Sequence, residues 1–305
     1  MSQAQGISVF YARTSMTWGF TVRYKGVSAA QPSYPVPPPT TVIGAFGYAL
    51  ARILDLNPYQ GFDSEKVGNG YIISFTMKVF LESTITASAA LVKPKGLISG
   101  LSIYLEPTRL IASAYKGGTE LTRIKKAKIF TDEFFADALN RMLPVQATGS
   151  AYAPELLLDL LWIVDADKLS KELGLRREEF DKIASKAVHG VVRVGSKEGL
   201  VAIQKAGYYT KASTLSTGGG FRTRFYVPAE CVEPLDREFV AEIELPGLSY
   251  SPRRFYIAAQ LASQNIIIPL PEDLLPPQYR LLSGCTSYTV PLEGAESLVG
   301  VVKRE

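Results

Sequence analysis

The chain has 305 residues, 47% of them hydrophobic and 20% charged, which excludes a disordered or fibrous protein and allows one large domain or two ordinary ones. Its formal net charge of +4 and pI near 8.8 stop short of the value of roughly 9 that marks a nucleic-acid domain on charge alone, so binding of that kind must rest on local patches. The only cysteines, Cys231 and Cys285, have no CxxC spacing and indicate neither a structural zinc site nor a disulfide framework. They read as two buried thiols in a reducing cytosol, or as one disulfide if the source is a hyperthermophilic archaeon. Asn occurs only at 57, 69, 140 and 265, a depletion in keeping with thermophily. No basic segment with an apolar core behind it opens the chain, and the run LLLDLLWIVDAD is broken by Asp159 and too short for a bilayer. A soluble, cytoplasmic protein without membrane contact is expected.

In chain order, 7–13 and 18–27 show partial alternation and are rich in β-formers, so two strands or one bent strand are expected. Pro35, Pro37, Pro38 and Pro39 then impose extended chain, and Thr40 or Thr41 offers an N-cap hydroxyl. Ile43, Phe46, Leu50, Ile53 and Leu54 recur at helical spacing behind them. Gly44 and Gly47 lie on that helix where Ala would be more stable by roughly 1 kcal/mol each, which suggests close approach of another backbone or a ligand. Residues 71–92 read as β-rich. An irregular hairpin is expected across 96–130, with Lys116-Gly117-Gly118 at its tip, followed by a short helix over 132–143. A buried strand over 156–164, a helix over 178–188 with Gly190 as C-cap, and a strand over 191–203 interrupted at 195–199 complete the pattern. The order β, α, β, insertion, β, α, β fits an α+β sandwich of ferredoxin-like or RRM-like type, with 1–230 as one domain and 231–305 as a region rich in strands and loops.

Signals for enzymatic chemistry are poor. The single histidine, His189, falls at a helix C-terminus, where imidazolium interacts favourably with the last carbonyls. Asp165 and Asp167 at a strand end have a spacing that can bind metal but lack a third ligand. No metalloprotease, nucleophile-elbow, P-loop or EF-hand pattern occurs. Two stretches suit nucleic acid better. Gly218-Gly219-Gly220 precede Phe221, Arg222, Arg224, Phe225 and Tyr226, where glycines admit a backbone and Arg and aromatics bind phosphate and bases; a flexible surface loop explains the same residues equally well. From Arg109 to Lys128 the basic residues are Arg109, Lys116, Arg123, Lys125, Lys126 and Lys128, against Glu120 alone. Ordinary surfaces intersperse both signs, so this arm suits a phosphate backbone.

Two segments carry a resemblance to a known family. PSYPVPPPTTVIGAFGYALA (32–51), preceded by TWGFTVRYKG (17–26), resembles the amino-terminal signature of the fifth CRISPR-associated (Cas) protein family in its archaeal type I-A branch. VVRVGSKEGLVAIQKA (191–206) is similar to a strand-turn-strand found late in that branch, and with LLLDLLWIVDAD the resemblance spans most of 7–226. It implies an RRM-like fold of the RAMP superfamily and a non-catalytic subunit that caps the Cascade complex at the 5′ handle of the guide RNA (crRNA). The partners implied are the Cas-seven backbone, the large and small subunits and the helicase component. The basic 96–130 insertion matches the family's thumb-like hairpin. The RNA contacts expected are Arg23, Lys25, Thr40, Thr41, Gly44, Lys116, Arg123, Lys125, Lys126, Lys128, Arg193, Lys197, Arg222 and Arg224, with no catalytic residue, metal or cofactor. The competing readings are the equivalent subunit of a type III complex, a metal-independent endoribonuclease using His189 or Tyr and Lys side chains, and a protein-only structural component.

Overall fold

The computed structural model describes residues 2–4, 6–22, 30–56, 65–67, 71–97, 100–110, 131–134, 145–196, 199–216, 218–263, 265–291 and 297–303. They form a mixed α+β architecture, mostly antiparallel sheet with few helices. The principal elements are β1 (Ile7–Met16), α1 (Pro39–Ile53), α2 (Phe75–Glu82), β2 (Thr84–Val92), β3 (Leu101–Leu110), β4 (Val145–Tyr152), β5 (Leu157–Asp165), α3 (Ala166–Glu172), α4 (Arg177–Ala187) and β6 (Val201–Tyr209). Strands β6, β1, β5 and β2 lie side by side in that order, every neighbouring pair antiparallel. The chain thus runs β1-α1-β2, departs through β3 and β4, and returns as β5-α4-β6.

Strand β5 explains why this sheet is the core. Eight of its nine residues are buried, because both of its faces are covered. On one face Phe10, Leu158, Leu160 and Trp162 meet Val42, Ile43, Phe46 and Leu50 of α1, Phe80 of α2 and Phe180 of α4. The Phe10 and Trp162 ring centroids are 4.8 Å apart, and the indole N–H donates to Thr84 Oγ1 at 2.8 Å, so the largest buried side chain keeps its polar group satisfied. On the other face Val9, Tyr11, Leu161 and Ile163 pack against Ala212, Phe225, Val290 and Leu298. A second sheet supplies that cover, in which 2–4, 212–216, 285–290 and 298–303 pair in order. Thr86 Oγ1 donates across the interface to the Val301 carbonyl. Strands 212–216 and 285–290, on either side of residue 230, pair directly in this sheet.

The same face holds a buried charge. Arg13 makes a bidentate pair with Asp159 at 2.7 Å for both bonds. Burial pushes the Asp159 carboxyl up, against the pull of Arg13, and it also pushes up the neighbouring Tyr11 phenol.

Several local expectations need correction. Helix α1 begins at Pro39 with Pro38 as N-cap and no side-chain cap, so neither Thr40 nor Thr41 caps it; the fixed φ of proline already suits the first helical position. Part of the β-rich stretch 71–92 is helix α2, whose N-cap Ser74 accepts from the Met77 N–H. Helix α4 ends at Ala187, and Gly190 closes a following 3-10 turn instead of acting as an αL cap. A Cβ on Gly190 would sit 2.9 Å from that of Ala49, so this glycine lets the turn pack on α1. Among its described residues the stretch 191–200 makes two isolated bridges, Arg193 with Leu200 and Gly195 with Thr21, and regular strand starts at Val201. Cys231 and Cys285 form a disulfide with Cα atoms 5.5 Å apart.

The hairpin also differs from its sequence reading. Strand β3 pairs with β4, Ser102 opposite Tyr152 and Leu110 opposite Val145, while the expected tip at Lys116-Gly117-Gly118 lies outside the described residues. The paired arms are 101–110 and 145–152, the second of them beyond the 96–130 expected. The helix expected over 132–143 is described only at 132–134, where Thr131 Oγ1 accepts from the Phe134 N–H. No helix among the described residues is long and apolar enough to cross a membrane.

Candidate nucleic-acid interface

Three segments distant in sequence enclose a cleft of about 310 Å³. Helix α1 supplies Thr41, Gly44, Gly47 and Tyr48; α2 supplies Thr76, Met77 and Phe80, with its cap Ser74; the third wall is Val192, Arg193 and Gly195. The two glycines of α1 do different work. A Cβ at Gly47 would lie 2.6 Å from the Phe80 ring, so its absence lets α1 and α2 touch. A Cβ at Gly44 would meet nothing within 4 Å, because Gly44 faces the open cleft. The close contact expected at both positions is therefore present at Gly47 only.

The third wall is set by a tight turn. Gly195 adopts φ +75°, and a Cβ there would come 2.5 Å from the Thr21 carbonyl. That carbonyl accepts from the Ser196 N–H at 2.9 Å, and the Val194 N–H donates to the Gly199 carbonyl at 2.8 Å. Arg193 is exposed beside it. Thr21 is the link to the hairpin, because its hydroxyl bonds Ser150 Oγ at 3.1 Å in β4. Segments 32–51 and 191–206, more than a hundred residues apart in the chain, thus meet at one site, and the root of β3–β4 is hydrogen-bonded to it.

Of the sequence-predicted contacts, Thr41, Gly44 and Arg193 line this cleft, while half-buried Thr40 does not. Arg23, Lys25, Lys116, Arg123, Lys125, Lys126, Lys128 and Lys197 lie outside the described residues. Their chain attachments do not: Val22 precedes Arg23, Ser196 precedes Lys197, and Leu110 precedes the 111–130 stretch. Sequence reasoning missed Tyr48, Ser74, Thr76, Met77 and Val192. Tyr48 was within reach, since it follows Gly44 by four residues and Thr41 by seven and so shares their helix face.

The other candidate stretch is consumed by the fold. Arg224 is 4% exposed and donates to the carbonyls of Pro271, Glu272 and Leu274. Arg222 bonds Asp236, the Pro276 carbonyl and Gln278. The Phe221 ring stacks on Tyr279 at 5.8 Å, Phe225 and Tyr226 are buried, and the Tyr226 hydroxyl donates to the Pro37 carbonyl. A phosphate would have to displace intramolecular partners at both arginines.

The acidic pair has structural partners as well. Asp165 caps α3 by accepting from the Lys168 N–H at 2.9 Å, and Asp167 pairs with Arg177 at 2.6 Å. Arg177 also bonds Asp181 and Ser8, tying α4 to the start of β1. His189 is exposed on the 3-10 turn and does not line the cleft.

No family model matches the chain, and no curated protein matches it. Among solved structures it is similar to a CRISPR protein from Archaeoglobus fulgidus, at 16% identity and a TM-score of 0.51, over 97% of this chain and 100% of that one. At this identity the likeness is one of fold, and it extends over nearly the whole chain.

Proposed function

We propose that the chain is a non-catalytic, guide-RNA-binding scaffold subunit of a type I-A CRISPR Cascade complex, holding the 5′ handle of the RNA. The observation that carries the reading is the meeting of segments 32–51 and 191–206 at the cleft between α1, α2 and the 192–195 wall, joined through Thr21 to the root of the basic hairpin. The fold shared with a CRISPR protein supports it. So does the strand order, which is that expected of a ferredoxin-like RAMP domain: the fourth strand of the β-α-β-β-α-β unit lies beside the first, then the third, then the second.

RNA contact in this reading falls on the cleft and the hairpin, not on the sheet. RRM proteins stack bases on aromatic residues of an open sheet face. Here Tyr11 on that face is 4% exposed beneath the second sheet. The scaffold role is preferred over the endoribonuclease because metal-free cleavage needs an acid or base titrating near neutrality, and the cleft lining offers Tyr48 and Arg193 but no histidine.

The test is co-expression with the neighbouring operon, purification on this chain, and sequencing of the bound RNA. Guide RNAs sharing a 5′ repeat-derived end, together with Cas-seven and the large subunit, are the expected result. Purification without RNA would overturn the scaffold reading, and association with type III subunits would move the chain to that complex. Replacing Lys125, Lys126 and Lys128 together by Glu should weaken binding and flatten the slope of log affinity against log salt by up to about 0.9 per lost phosphate contact.

A further inference from the structure

We infer that Trp18 is a base-stacking platform for an unpaired nucleobase of single-stranded RNA, an inference that rests on the RNA-binding reading above. The chain has two tryptophans, and they are opposites: Trp162 is fully buried, whereas Trp18 is 67% exposed. Tryptophan is highly buried on average in folded proteins, which sets Trp18 apart.

The backbone at Trp18 is pinned to β4 and to the residue that follows that strand. Its carbonyl accepts from the Ala153 N–H at 2.8 Å, and Gly19 and Phe20 pair with Tyr152 and Ala151 of β4. Gly19 has φ +133°, and a Cβ there would overlap the Ala151 carbonyl, so the turn that presents Trp18 admits glycine alone. The indole stacks on Tyr152, centroids 6.2 Å apart and planes 28° from parallel. An aromatic braced by a second ring, with an exposed surface, is suited to continue a stack with a base.

Its position favours nucleic acid over a protein partner. The chain on either side of Trp18 pairs with the segment that carries Arg193: Met16 opposite Val201, and Thr21 opposite Gly195. The backbone around Trp18 is therefore tied on one side to the segment that carries Arg193 and on the other to β4, the returning arm of the hairpin. Cations for the phosphates next to an aromatic for the base form the recurring arrangement in single-strand binding, and its sequence tolerance suits a fixed anchor.

The two tryptophans make the test direct. Unlabelled single-stranded RNA of the repeat-derived 5′ end is titrated into the purified chain, with binding followed by filter retention and tryptophan emission followed in parallel. The expected result is quenching of the exposed component and its protection from acrylamide, while Trp162 emission is unchanged. Trp18→Ala should weaken single-strand binding by about tenfold or more, and Trp18→Phe should retain most of the affinity. An oligomer abasic at successive positions should lose the Trp18 dependence where the stacked base is removed. RNA retained on the filter with no change in Trp18 emission and full affinity in Trp18→Ala would overturn the inference and leave the RNA-binding reading standing. No retention of RNA by the wild-type chain would overturn both. A Trp18→Ala chain that binds RNA normally but fails to join the complex would assign the ring to a protein contact instead.

Discussion

Two regions of this chain share a vocabulary of glycine, arginine and aromatic residues and put it to opposite uses. Around 218–226 both arginines are bonded within the protein and the aromatic rings are packed, Phe221 on Tyr279 and Tyr226 on Phe255. Around the α1–α2 cleft, Gly44 faces open space, Arg193 is exposed and Tyr48 lines the wall. Composition does not distinguish them. What distinguishes them is whether each polar group already has a partner, because a guanidinium bonded to three carbonyls gains little by meeting a phosphate and loses its existing bonds.

The comparison is broken first at the disulfide that fastens the 218–234 side. Cys231 and Cys285 are 54 residues apart, and closing a loop of that length removes chain entropy worth about 4 kcal/mol in the unfolded state. Cys231→Ala with Cys285→Ala should lower stability by about that amount in denaturant melts, and RNA affinity measured well below the melting temperature should hold. Next comes Arg224→Ala, which strands three carbonyls that are now bonded. A loss of about 3 kcal/mol is expected, again with RNA affinity retained in the folded protein. A normal melt with weakened RNA binding would reverse the assignment of that region.

The cleft side is sharpened by the paired glycines. Gly47→Ala drives a methyl into the Phe80 ring and should destabilise by about 1–3 kcal/mol. Gly44→Ala meets no atom and gains helix propensity, so its stability should hold or rise, by at most about 1 kcal/mol, while RNA binding weakens. The smallest effect is expected from His189→Ala. Cleavage of repeat RNA in excess EDTA should be absent from wild type and variant alike, with a stability change of at most about 1 kcal/mol. Cleavage by wild type that the variant lacks would promote the endoribonuclease.

The alternation of β1, α1, β5 and α4 was legible because each has its own hydrophobic period: Ile43, Phe46 and Leu50 mark one helix face, and the LLLDLLWIV run marks a doubly covered strand. Helix α2 was not, because FTMKVFLE adjoins TITASAALV and shares its β-forming residues; Ser74, three residues before the Met77 N–H it caps, was the available signal. Asp165 plays the same part for α3 and was read as a possible metal ligand. The second sheet was out of reach, since it pairs 2–4 with 212–216 and 285–290 with 298–303, and no local pattern states such partners. The cleft escaped for a related reason. Its three walls come from residues 41–51, 74–80 and 192–195, and only the fold brings them together.

Photo-crosslinking of the chain to a 4-thiouridine-substituted guide RNA, followed by mass spectrometry of the linked peptides, tests the central claim most directly. Crosslinks confined to peptides within 16–25, 40–48, 111–130 and 191–200 are the predicted result. Crosslinks concentrated at 218–226, with none at the cleft or the hairpin, would contradict it.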